Sequence, residues 1–275
     1  MDGLRAETAN SKIIVYLSGR DKQLGILDLW KEKLSLFYLE LPIFTVAITE
    51  DILLAGMRES PESNGTLLCM TPKGDYLWAT PFTGMIETFF GAVRVQPYRL
   101  LIAQPNLFFV ASWSHVLRIE VQETILRLLD REVSPHPRKS IPAVLGDYRG
   151  HAPVQHLAYE PCKGTLFVSD QSNSLACWDA MGNLVWRTEF GYYGCEFRLF
   201  QNVGIWAWAN RPGGGFLGYF TQSGDLVTYL PFPGKAIRTG EVAADGSLVF
   251  VNHARSGAWR ATTCGCISQI FSVNA

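Results

Sequence analysis

The sequence predicts an all-β fold, a six-bladed β-propeller of four-stranded antiparallel blades, from three observations. A degenerate repeat of roughly forty residues runs through the chain, and a period in that range marks a stacked or circular array. Each unit divides into short runs of alternating apolar residues separated by clusters of Pro, Gly, Asn, Asp and Ser, the pattern of half-buried strands and tight turns. No stretch carries a sustained helical period with caps, so helix is expected to be nearly absent.

The clearest copy, Leu175 to Gly191, reads as strand, Gly-containing turn and strand, and the cadence returns from Leu67 to Phe82 and from Leu217 to Phe232. Gly182, Gly224 and Gly265 are 42 and 41 residues apart, and 41 residues before Gly74 stands Lys33, which sets the register. The first unit opens on Gly3 to Ala9 and has its second strand at Lys12 to Leu17. The second strands that follow are Ile52 to Met57, Leu107 to Ser112, Thr165 to Ser169, Ile205 to Ala209 and Leu248 to Asn252. The third unit is inferred from Val116 to Val121 and Ile125 to Leu129, around a turn at Gln122 to Thr124. In the fourth, the strands are Val154 to Tyr159, Gly164 to Ser169, Leu175 to Trp178 and Leu184 to Thr188, and the last strand of the chain is Ile267 to Val273.

Blades are thus placed at 3–41, 43–83, 86–130, 154–190, 195–233 and 236–275 of a single domain. Each is one continuous piece, so closure is expected from side-chain packing between the first and last blades, without a strand exchanged between the termini. Residues 131–153, with Pro135, Pro137, Pro142 and Pro153 among Arg138, Lys139, Arg149 and His151, read as a Pro-rich basic loop between blades. A seven-bladed alternative requires this insertion and the stretch from Met85 to Asn106 to hide further strands.

A hydrophobic fraction of 48% over 275 residues is ample for a buried core. With 24 Lys plus Arg against 25 Asp plus Glu, the net charge of -1 supplies no long-range field for nucleic acid or an acidic membrane. Met1 to Asn10 lacks a basic start followed by an apolar run, so a soluble cytoplasmic protein with no membrane association is expected. Cys69, Cys162, Cys177, Cys195, Cys264 and Cys266 are too sparse for a disulfide framework. The close pair Cys264 and Cys266 lacks the second pair a zinc site would need and reads as a turn between strands; no metal is expected.

Leu175, Asp179, Gly182, Leu184, Trp186 and Gly191 together resemble the quinoprotein-like propeller repeat, and Gly164 to Ser174 is similar to the second strand and turn of NHL-type repeats. The likeness is good in this unit, fair in those ending at Phe82 and Phe232, and weak elsewhere. Cofactor-using quinoproteins bring a signal peptide, more blades, a calcium site and adjacent cysteines, which this sequence does not show. The resemblance therefore implies a WD40-like assembly platform with no cofactor.

Trp78 and Trp186 hold matching places after the turn, which points to packing between blades, and Trp206 and Trp208 share one strand face opposite Ala207 and Ala209. Gly213 to Gly215 are not followed by a helical pattern and read as a turn, not a phosphate cradle. Catalytic elbows, zinc-protease helices and Walker loops are missing from the sequence. The one constellation suited to acid and base chemistry is His156, Glu196, Arg198, Arg238 and Glu241, all on or beside expected first strands, where a propeller lines its channel.

Connections between second and third strands share one mouth and are polar, including Asp21, Glu59, Glu62, Asp170 and His253. The partner-binding residues expected there are Arg20, Lys22, Arg58, Arg211 and Arg255, joined by Arg138, Lys139 and Arg149 of the insertion. Such a face suits an acidic peptide or protein through charge-assisted hydrogen bonds. Nucleic acid is disfavoured because aromatic residues are not interleaved with these cations. The reading is a non-catalytic protein-interaction module or scaffold, a subunit of a larger cytosolic assembly. The alternatives are an enzyme of lactonase, lyase or cyclase type at the channel mouth, and a sensor for a small anion.

Overall fold

The computed structural model describes residues 4–9, 12–17, 21–60, 62–88, 91–113, 115–121, 143–144, 153–171, 174–179, 182–190, 193–200, 202–211, 213–233, 236–252 and 257–272. Among them every regular element is a strand, arranged as six four-stranded antiparallel sheets and one two-stranded hairpin. The chain divides into two compact units, residues 1–151 and 152–275.

The first unit opens with a sheet of β1 (Leu4–Ala9), β2 (Lys12–Leu17), β3 (Gln23–Asp28) and β4 (Lys33–Tyr38), paired in chain order. Its second sheet is β5 (Ile43–Ile48), β6 (Leu53–Met57), β7 (Thr66–Met70) and β8 (Tyr76–Pro81). The hairpin β9 (Met85–Thr88) and β10 (Gly91–Arg94) follows, then a third sheet of β11 (Arg99–Gln104), β12 (Leu107–Ser112), β13 (His115–Glu120) and β14 (Ala143–Val144). The second unit holds β15 (Val154–Glu160) to β18 (Leu184–Glu189), with β16 (Thr165–Asp170) and β17 (Ser174–Trp178) between them. After these come β19 (Tyr193–Phe200), β20 (Gly204–Arg211), β21 (Gly214–Thr221) and β22 (Leu226–Pro233). The last sheet is β23 (Ile237–Val242), β24 (Leu248–Asn252), β25 (Gly257–Ala261) and β26 (Ile267–Ser272).

The expected second strands coincide with β2, β12 and β24 and fall within two residues of β6, β16 and β20. The third sheet departs from the expected one. Ile125 to Leu129 lie outside the described residues, and the place beside β13 is taken by Ala143 and Val144, opposite Arg118 and Leu117. The Pro-rich insertion, expected to be loop, therefore supplies a short strand at Ala143 and Val144. The stretch after Met85 likewise carries the β9–β10 hairpin. Gly214 and Gly215 belong to β21 and pair with Arg211 and Asn210, so of the three glycines only Gly213 lies in the turn.

Strand β20 is packed by apolar residues on both faces. Trp206 and Trp208 enter a cluster with Leu217, Leu248, Phe250 and Trp259, whereas Ile205, Ala207 and Ala209 enter another with Phe197, Phe216 and Phe220. Small residues on one face and indoles on the other let β20 sit inside apolar packing on both sides.

The third-to-fourth strand turns follow one design. In Thr71–Asp75, Asp179–Asn183, Thr221–Asp225 and Thr262–Cys266 the first N–H donates to the fifth carbonyl, and the glycine N–H donates back to the first carbonyl. The fifth N–H donates to the first side chain, at 3.1, 2.8, 3.1 and 3.1 Å. Gly74, Gly182, Gly224 and Gly265 have φ of +99°, +85°, +91° and +100°, where a β-carbon is costly. Lys33 is not the equivalent of these glycines: the first sheet turns through Glu32 at φ +50°, with Asp28 accepting from the N–H groups of Trp30 and Lys31.

These turns also dock sheet to sheet. The Trp186 Nε1–H donates to the Gln222 carbonyl at 2.9 Å while its ring lies on Gly224, and Phe37 lies on Gly74 in the same manner. Asn210 clamps the next sheet by accepting from Ile237 N–H at 2.7 Å and donating to its carbonyl at 2.8 Å. Removing both bonds leaves a buried backbone pair to find other partners, so Asn210→Ala is expected to cost about 1–3 kcal/mol in urea unfolding. An unchanged midpoint would show the clamp to be dispensable.

Candidate functional site

At the second-to-third strand end of the first unit, backbone bonds gather several loops. Asp21 O accepts from Ile43 N at 2.9 Å, Pro42 O from Arg58 N at 3.1 Å, and Val95 O from Gly65 N at 2.8 Å. Gln96, buried in spite of its polarity, is the hub. Its Oε1 accepts from Arg58 Nη1 and from the Tyr98 hydroxyl at 3.0 Å. Its Nε2 donates to Ser63 O at 3.0 Å and its backbone N to Ser112 Oγ at 2.9 Å. Pro97 wedges against Gly56 and Gly65, at positions where a β-carbon would collide with it.

Arg58 is thereby laid flat. Its guanidinium carbon stands 3.8 Å from the Phe44 ring centroid and 5.9 Å from that of Tyr98, an arrangement in which cation–π attraction and the hydrogen bond to Gln96 both favour one pose. Phe44 meets Tyr98 edge to face at 5.3 Å, and Tyr98 meets Trp113 at 6.0 Å. Trp113 has φ +53°, a left-handed conformation that costs an L-residue about 1–2 kcal/mol. Half-buried aromatic rings around a preorganised, half-buried guanidinium form a surface suited to a carboxylate or to the acidic segment that carries one. Lys22 is exposed at the same end, in the loop that also presents Asp21.

A second polar cluster lies in the other unit. Arg198 of β19 donates from Nη1 to His156 Nε2 of β15 at 2.9 Å and from Nε to Glu241 Oε1 of β23 at 3.0 Å. Three of the five residues proposed from sequence for acid and base chemistry are thus brought into one hydrogen-bond chain. Arginine can only donate, so the His156 Nε2 lone pair is occupied by Arg198 and is not offered to a substrate proton. Glu241 is 75% exposed, which leaves the ion pair well solvated and of little energetic weight. Glu196 lies opposite Trp208 in the β19–β20 pairing, and Arg238 is exposed at the bulge between Ile237 and Thr239.

Of the other residues expected on the docking face, Arg20, Arg138, Lys139, Arg149 and Arg255, with His253, lie outside the described residues. Arg211 closes the β20–β21 hairpin opposite Gly214. Asp170 is not on that face: it is fully buried, accepting from Ser174 N at 3.1 Å and Ser174 Oγ at 2.8 Å to close the β16–β17 turn. Gln96, Phe44, Tyr98 and Trp113 join the site although they are not among the residues the sequence singles out. The available signal was Gln96-Pro97-Tyr98, a polar and turn-forming run in the stretch where the repeat is interrupted.

Among the described residues no group of three or more His, Cys, Asp or Glu is placed to hold a metal ion, and no helix is long and apolar enough to cross a membrane. No protein-family model and no curated protein matches the sequence. Solved structures do match in shape. The Cps50 (Swd1) β-propeller domain of Myceliophteria thermophila superposes with a TM-score of 0.68 at 10% identity, over 100% of this chain and 88% of that one. A chain in the Mitotic Checkpoint Complex gives 0.67 at 12% identity, over 95% and 76%. The WD40 β-propeller domain of Doa1 gives 0.60 at 12%, over 91% and 74%. The chain therefore has a WD40-like β-propeller fold, and identities this low carry shape alone.

Proposed function

We propose that this chain is a non-catalytic protein-interaction module, a single-domain six-bladed propeller with one blade per four-stranded sheet, working as a subunit of a larger cytosolic assembly. Within the propellers its repeats are grouped with the quinoprotein-like and NHL types, on the strength of Leu175 to Gly191. The observation that carries the functional reading is Arg58, held flat on Phe44 by Gln96 and Tyr98. A guanidinium fixed before binding gives up little entropy when it pairs with a carboxylate, which is how arginine and aromatic anchors concentrate binding energy. Lys22, exposed at the same end of that unit, adds to the basic character around it, and Arg20, Arg138, Lys139, Arg149, Arg211 and Arg255 are the further partner-binding residues of this reading. That a chain of similar shape occurs in a complex is in keeping with such a role.

The enzymatic alternative is favoured by one observation, the His156, Arg198 and Glu241 chain, and is opposed by the occupied His156 nitrogen. The two readings separate in affinity purification of the full chain at native abundance. A partner acidic at its contact is expected to co-purify stoichiometrically, to fall at least about tenfold with Arg58→Ala, the loss of about 1.4 kcal/mol, and to persist with His156→Ala. Absence of any stoichiometric partner, together with a small-molecule turnover abolished by His156→Ala, would establish the alternative.

A further inference from the structure

The four equivalent turns show which side chains the turn itself requires. The first residue supplies an oxygen for the fifth N–H and the fourth must tolerate positive φ, while the third and fifth side chains have no part in the backbone bonds. In the Thr221–Asp225 turn those two side chains meet, with Ser223 Oγ donating to Asp225 Oδ2 at 2.8 Å. In the Thr262–Cys266 turn the same two positions are Cys264 and Cys266, both exposed free thiols. Thr262 Oγ1 lies 3.0 Å from Cys264 Sγ and also accepts from Cys266 N at 3.1 Å, so one hydroxyl ties the two residues together.

We propose that Cys264 and Cys266 form a redox-active dithiol that exchanges with small-molecule disulfides and closes into a disulfide across Gly265. In the first step the Cys264 thiolate attacks one sulfur of a disulfide, forming a mixed disulfide and releasing the other half as a thiolate. Cys266, having lost its proton to solvent, then attacks Cys264 Sγ, forms the Cys264–Cys266 bond and expels the second thiolate. Two protein thiols are oxidised by two electrons, one small disulfide is reduced to two thiols, and the protons lost by the cysteines end on those thiols. A ring spanning a single intervening residue is small, which favours ready reduction and a reversible switch over a permanent staple.

The chemistry around the six cysteines is graded accordingly. The hydrogen bond from Thr262, followed by that from Cys266, draws the Cys264 thiol below the ordinary thiol range and enriches its thiolate. Burial pushes Cys69 up to about 12 and Cys177 up to about 11, and raises Cys195 as well, so these three are inert. Cys162 is exposed, with Asn202 Nδ2 4.0 Å from its sulfur, and serves as an internal single-thiol reference.

The test is exposure of the reduced full chain to oxidised glutathione, followed by alkylation of remaining thiols and peptide mapping. The peptide carrying Cys264 and Cys266 is expected to lose both free thiols several-fold faster than Cys162 reacts, and to retain no glutathione. Cys162 is expected to keep its adduct. In Cys266→Ser the second step is blocked, so a stable glutathione adduct should accumulate on Cys264. Loss of the pair no faster than Cys162, or glutathione retained on both Cys264 and Cys266 of the unmodified sequence, would overturn the proposal.

Discussion

Trp206→Ala is expected to lower the unfolding free energy by about 3–5 kcal/mol, the cost of removing a large aromatic side chain from a close-packed interior. The indole is fully buried in the cluster that includes Leu217, Leu248, Phe250 and Trp259, and its ring centroid is 5.1 Å from that of Tyr219. Its Nε1–H also donates to the Gly246 carbonyl at 2.8 Å, in the β23–β24 turn of the following sheet. Trp208 provides the control. It is equally buried, yet among the described residues its Nε1–H meets no acceptor. Phenylalanine at 206 therefore leaves a carbonyl without its donor and should cost about 1–3 kcal/mol beyond the volume change. Phenylalanine at 208 removes an unsatisfied donor and should cost distinctly less. Urea unfolding of the two Trp→Phe variants measures the difference; equal losses would mean that the Trp206 bond contributes nothing to sheet docking.

Gly224→Ala is expected to cost about 2–4 kcal/mol, from left-handed strain of about 1–2 kcal/mol and a lost hydrogen bond of about 0.5–1.5 kcal/mol, with ring displacement in addition. The added β-carbon would stand 2.6 Å from Trp186 Cδ2, so the indole must move and its bond to the Gln222 carbonyl must lengthen. Gly213, at φ +89° with open space around it, isolates the strain alone, and Gly213→Ala should cost only about 1–2 kcal/mol. Truncating Trp186 in the Gly224→Ala background should make the second change less costly than it is alone, because the collision has gone. Equal effects at 213 and 224, measured by urea midpoint, would contradict the docking of Trp186 onto the turn.

The elements were legible where local chemistry decides them. Alternation placed β2, β12 and β24 to the residue, and Gly74, Gly182, Gly224 and Gly265 do turn the chain with positive φ. Asp179 closes its turn by accepting from Asn183 N at 2.8 Å and Asn183 Nδ2 at 3.0 Å, as its place in the repeat suggests. The fourth strand of the third sheet was not legible. Ile125 to Leu129 carry the stronger β pattern, whereas Ala143 and Val144 are recruited by an open edge on β13, a tertiary demand that no local pattern announces. Burial misled at Asp170, since a carboxylate that closes a turn by accepting from Ser174 looks in sequence like one on the surface. The candidate site was half legible. Arg58 was found as a loop cation, but Phe44, Gln96, Tyr98 and Trp113 come from different sheets and connections, and their meeting depends on packing between them.

Hydrogen–deuterium exchange on the co-purified complex, compared with the chain alone, tests the interaction reading most directly. Binding through the preorganised arginine should slow exchange at 42–45, 58–63 and 96–98 and around Trp113, and Arg58→Ala should erase that protection while leaving exchange in the strands unchanged. Protection confined to 154–160 and 237–242, or absent from both regions, would contradict the account.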